Sequence, residues 1–157
     1  MLCAYNTNEF AGLPHYQQAK NKVGLNTIKM AIDELGNIIV LHGFELEVGV
    51  CLLHKHFDLN NDEILLETIH DNTSKVSPVS RSAIQDDILA YMWKMNKNKT
   101  WSPLEFAYST QQMRNSFEKV MKNEAFLQAI GDTMTKLQVK YISMNEKCIK
   151  YISLLID

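Results

Sequence analysis

The chain has 157 residues, 46% hydrophobic and 22% charged, with a net charge of −2. That apolar content can offset the ordering entropy of one ordinary domain, so a disordered, collagen-like or low-complexity chain is excluded. Arginine occurs only at Arg81 and Arg114 and acids outnumber bases, so the basic footprint of a DNA or RNA reader is absent.

Leu25 to His42 places Ile28, Ala31, Ile32, Leu35, Ile38, Ile39 and His42 at three- and four-residue steps. This spacing predicts a helix over 26–42, with Asn26 as N-cap and Gly43 as its stop. From Glu47 to Phe57 the period falls to two, with apolar residues on both parities, which predicts a doubly covered strand. Asp58 to Asp62 is turn chemistry, and Glu63 to His70 reads as the second strand of a hairpin. Asp71 to Ser82, rich in Ser, Thr, Asn and Pro, reads as a surface loop.

Ile88–Met95 and Trp101–Tyr108, divided by the polar Asn96-Lys97-Asn98-Lys99, read as a second hairpin, because Tyr91, Trp93, Trp101, Phe106 and Tyr108 suit a pleated surface. Pro103 then belongs on an edge strand. A helical alternative rests on a Ser82–Gln85 capping box and on Ser102-Pro103-Leu104-Glu105 as a helix start.

Helical structure is expected from about residue 111, where Met113, Phe117, Val120 and Met121 form a stripe. A heptad-like series follows through Leu127, Ile130, Met134, Leu137, Tyr141, Met144, Cys148, Tyr151 and Leu155. Beyond Leu137, the β-favouring Val139, Ile142, Ile149 and Ile152 offer a hairpin turning at Asn145-Glu146-Lys147 instead. The expected fold is α+β, one compact domain over residues 1–157 with an antiparallel sheet, packed helices and a mainly helical C-terminal third.

His54-Lys55-His56 is the most suggestive chemical pattern. On a strand, residues two apart share a face, so both imidazoles can approach one ion. A mononuclear metal site needs a third ligand, and Glu67 or His70 on the neighbouring strand are the candidates. In the plain hairpin register the carboxylates face away, beside Lys55; a one-residue slip brings Glu63 and Glu67 onto the histidine face. The ordinary reading of the pair is packing and hydrogen bonding.

Cys3, Cys51 and Cys148 are odd in number and form no CxxC pair, which points to reduced thiols and a cytoplasmic compartment. Cys51 and His54 have opposite strand parity, so they make no thiolate–imidazole pair within the strand. There is no Gly-rich phosphate loop, no Gly-x-Ser-x-Gly elbow and no His-Glu-x-x-His pattern. Residues 1–8 lack the regions of a secretion signal, and no run reaches the ~18 apolar residues of a membrane span.

By elimination, the expected function is a small soluble protein-binding or regulatory module without catalytic activity or cofactor. Its partner is a protein or a second copy, met through the stripe from Leu127 to Leu155, with no role for nucleic acid or membrane. The alternative is a metal-dependent enzyme built on His54 and His56.

Overall fold

The computed structural model describes residues 2–70, 73–138 and 142–145. Two helices open the chain: α1 (Thr7–Ala11), capped by the Asn6 side chain, and α2 (Tyr16–Val23). Both are short and mostly polar, so no apolar period announces them. The apolar period that follows becomes α3 (Leu25–Leu41), which buries Ala31, Leu35 and Ile39. It starts at Leu25, one residue before the expected start, with Gly24 at the N-cap position, and Asn26 lies inside it rather than capping it.

The end of α3 is a Schellman motif. Gly43 takes φ +68° and its N–H donates to the Val40 carbonyl at 3.0 Å. The Phe44 N–H donates to the Ile39 carbonyl, also at 3.0 Å. Two orphan carbonyls are thereby satisfied, and Phe44 turns back into the same buried cluster as Ile39.

The strands are β1 (Gly49–Leu52), β2 (Glu63–His70), β3 (Thr73–Ser80), β4 (Ile88–Met95), β5 (Trp101–Tyr108) and β6 (Ile142–Asn145). Among the described residues they form one sheet in the order β1-β6-β4-β5-β2-β3. The expected hairpin between 47–57 and 63–70 does not form. β1 ends at Leu52 and pairs with β6, Cys51 opposite Ser143, while β2 pairs with β3, Glu67 opposite Val76.

The segment expected as a surface loop is thus β3, at the sheet edge. Its Ser and Thr side chains tolerate a half-wet strand, and Pro78 is accommodated because an edge strand is paired on one side only. The sheet is mixed rather than antiparallel, since β2 also lies parallel to β5, with Leu65 beside Glu105.

The β4–β5 hairpin forms over the expected residues, and the helical alternative is overturned. Its loop closes with the Asn96 N–H on the Thr100 carbonyl at 2.8 Å, and Lys99 takes the left-handed position at φ +60°. Pro103 is not on an edge: β5 is central and buried nearly throughout. The β2 ladder covers only Glu105 to Ala107, and beside Trp101 runs the N-terminal segment, where Cys3 N–H donates to the Trp101 carbonyl at 2.8 Å. Pro103 therefore sits outside the stretch of β5 that β2 requires as a donor ladder.

The last part is only partly helical. α4 (Gln111–Met121) is capped by the Thr110 hydroxyl and α5 (Glu124–Lys136) by the Asn123 amide oxygen. The heptad-like stripe does not continue as one helix, because Gln138 is left-handed at φ +53° and the chain re-enters as β6. Met144 is a strand residue there, opposite Val50 on one side and Trp93 on the other. Tyr141, Cys148, Tyr151 and Leu155 lie outside the described residues.

Among the described residues, two buried clusters hold these layers together. In the larger, Ala31, Leu35 and Ile39 of α3 meet Phe126, Ile130 and Met134 of α5 beneath Trp101. Each fully buried Leu, Ile or Phe contributes about 1.5–3 kcal/mol. The smaller joins Phe10 and Leu13 to Leu53, Leu65 and Leu104. No helix among the described residues is long and apolar enough to cross a membrane.

Candidate functional site

The imidazole pair lies just past the end of β1, where the chain runs beside the start of α2. Leu53 anchors this segment in the smaller cluster, and the Lys55 N–H donates to the Pro14 carbonyl at 2.9 Å. The His54 and His56 rings sit edge to face with centroids 4.4 Å apart, and Tyr16 meets His54 at 5.0 Å. His54 Nδ1 lies 2.8 Å from the Leu52 carbonyl, so in the neutral ring Nδ1 carries the proton and Nε2 the lone pair. Partial burial, and then the neighbouring His54, hold His56 below the ordinary histidine range. Lys55 reaches Asp58 at 2.6 Å, and this contact lowers the Asp58 carboxyl.

The proposed third ligands Glu67 and His70 stand on β2, which does not pair with β1. Because β1 and β2 do not pair, the register slip that would bring Glu63 and Glu67 to the histidines has no ladder to slip along. Glu63 accepts from the Asn60 N–H at 2.8 Å, and Glu67 accepts from the Ser74 hydroxyl. His70 ends β2 opposite Thr73, and its side chain is outside the described residues. Among the described residues, no three His, Cys, Asp or Glu side chains are placed to hold a metal ion. Among the described residues, Cys3 and Cys51 form no disulfide.

Glu67 instead belongs to a buried polar group that sequence reasoning missed. Leu65 and Glu105 are neighbours in register, so Glu67, two residues along β2, shares the face of Glu105. Glu67 is 6% exposed and Glu105 5% exposed. The Tyr91 hydroxyl donates to Glu105 Oε2 at 2.7 Å. Burial pushes the Glu105 carboxyl above the ordinary range; the Tyr91 hydroxyl pulls it back and the Glu67 charge adds to the rise. Burial, and then Glu105, likewise push the Tyr91 phenol far up. The available signal was a lone acid at position 105, flanked by Leu104 and Phe106 in a largely apolar strand.

A different surface is built where α3 ends. Val40 is 65% exposed, Leu41 81% and Leu46 80%, although Ile39, Phe44 and Val48, which flank and divide them, are buried. The helix buries one stripe, and the run Ile38–Leu41 carries apolar residues further round than that stripe extends. The Schellman bonds fix the corner, so these aliphatic side chains are held towards water by a defined backbone. Apolar runs that wrap a helix were the available sequence signal. Comparison of the chain with family models, curated proteins and solved structures finds no match.

Proposed function

We propose that this protein is a protein-binding module without catalytic activity, and that its contact surface is the corner at the end of α3. The observation that carries this reading is the exposure of Val40, Leu41 and Leu46 on a backbone pinned by Gly43 and Phe44. Each such side chain offers about 1.5–3 kcal/mol when a partner covers it, and a pinned corner loses little entropy on docking. A second copy of the chain is the first partner to test, because an isologous contact needs only one self-complementary patch.

Light scattering at micromolar concentration tests this against a Leu41→Glu/Leu46→Glu variant checked for folding by circular dichroism. A parent heavier than 18.0 kDa, with the variant at 18.0 kDa, supports self-association through the corner. If the parent is a monomer, a photo-crosslinker at position 41, used in the cells that make the protein, captures any other partner. A monomeric parent that yields no adduct overturns the reading.

A metal-dependent enzyme is the second reading, favoured by the ring contact of His54 and His56 and by the bond from His54 Nδ1 to the Leu52 carbonyl. A carbonyl acceptor at Nδ1 is the arrangement that presents Nε2 to a metal. Metal analysis of untagged protein decides it. One ion per chain, lost in a His54→Ala/His56→Ala variant, supports the enzyme, and substoichiometric metal in the parent removes it.

A further inference from the structure

Between the N-terminal segment, the sheet and the β3–β4 connection lies a groove of about 300 Å3, lined by Tyr5, Ile64, Arg81, Ile84, Ile88 and Phe106. Its floor follows from strand register. Phe106 is opposite Ala90 and beside Leu66, so Ile88 and Ile64, two residues from those partners, fall on the face of Phe106. Tyr5 closes one side, its ring edge on to Phe106 at 5.3 Å and its hydroxyl donating to the Glu63 carbonyl at 3.2 Å.

Among the described residues that line it, Arg81 is the one charged group. Its guanidinium lies over the Tyr5 ring, 5.4 Å from the centroid, and Nη2 donates to the Asn61 carbonyl at 2.7 Å. Two acids are close in sequence to its neighbours, but both are engaged with other groups. Asp62 accepts from the Ser80 hydroxyl at 2.8 Å, and Glu63 accepts from the Asn60 N–H at 2.8 Å. Among the described residues no carboxylate forms an ion pair with Arg81, whereas the chain's other arginine, Arg114, pairs with Asp87. A guanidinium has five N–H donors in a rigid fork, and stacking on an aromatic ring fixes that fork in direction. Charge and shape together suit a single anion joined to a compact apolar body.

We propose that this groove binds a small organic carboxylate, with its apolar part on Ile64, Ile88 and Phe106 and its carboxylate on Arg81. A volume of about 300 Å3 is at the lower end of the range for ligand sites. The body is therefore about one ring or a short branched chain. Planar, bidentate geometry favours a carboxylate on arginine, and the apolar floor favours it over a bare inorganic anion.

The test uses the whole chain and three probes: 3-phenylpropionate, its uncharged amide, and inorganic phosphate. Amide-resolved NMR titration reads binding at residues 5, 64, 81, 84, 88 and 106. The acid is expected to shift these signals and to bind at least tenfold more tightly than the amide, with phosphate alone shifting none of them. Arg81→Gln should erase the preference for the acid over the amide. Ile88→Trp, which fills the groove without altering Arg81, should abolish binding of both. Circular dichroism on each variant separates a lost site from a lost fold, and Arg81→Lys supplies a second charged variant if Arg81→Gln unfolds. Equal binding of acid and amide overturns the proposal, as does no binding up to the solubility limit. Phosphate shifting the same signals as strongly as the acid, or an Ile88→Trp variant that binds undiminished, also overturns it.

Discussion

Replacing Tyr91 with Phe keeps the ring and removes the hydroxyl that donates to Glu105 Oε2 at 2.7 Å, where Glu105 is 5% exposed. With Glu105 ionised, a hydrogen bond to a charged group contributes about 1.5–3 kcal/mol, so the variant should lose that much unfolding free energy. At about 3 °C per kcal/mol for a chain of this length, the midpoint falls by roughly 4–9 °C. With Glu105 protonated the acceptor is neutral, and the same substitution costs about 0.5–1.5 kcal/mol. The direction with pH follows from linkage. Burial raises the folded-state Glu105 carboxyl above its ordinary value of 4.5, so the folded chain holds that proton more tightly than the unfolded chain does. Stability from this group is complete below 4.5 and is lost as pH rises through the folded value. The cost of Tyr91→Phe should therefore grow as pH rises, and should stay flat in a Glu105→Gln background. Urea unfolding of the parent, both single variants and the double variant, followed by circular dichroism from about pH 4 to 8, closes the cycle. A Tyr91→Phe cost within about 0.5 kcal/mol of zero would refute the reasoning, and so would an equal pH dependence in both backgrounds.

Two glycines should answer the same substitution with opposite signs. Gly36 lies inside α3 with nothing within 4 Å of an added Cβ, so Gly36→Ala should stabilise by about 1 kcal/mol; Gly43, at φ +68°, should lose about 1–2 kcal/mol as Ala. Denaturant midpoints moving in the same direction would contradict both assignments. NMR titration should place the His56 midpoint below 6.5, and His54→Ala should raise it only part of the way back, since burial is the larger cause. The stability His56 contributes is complete above 6.5 and is lost as pH falls towards its folded value, and a His54→Ala variant with an unmoved His56 midpoint would undo the assignment.

What the sequence by itself determined is local. The three- and four-residue spacing of Ala31, Leu35 and Ile39 marks a helix because those residues share one face, whatever that face packs against. Ile88–Met95 and Trp101–Tyr108 were legible as a hairpin because their residues are β-favouring and a short polar turn leaves antiparallel pairing as the near option. What the tertiary structure decided is partnership. An alternating pattern says that a strand has two faces, but not which strand lies beside it. Thus Glu63–His70 took Thr73–Ser80 as its hairpin partner and Trp101–Tyr108 as a parallel neighbour. That choice set Glu67 on the face of Glu105 rather than on a strand paired with β1. The same limit applies to Met134 and Met144, which fit one heptad series. The first is buried in α5 and the second pairs in β6, because hydrophobic spacing alone does not register the left-handed Gln138 between them. Exposure of Val40 and Leu41 was likewise undecided until packing showed which stripe of α3 the core had room to cover.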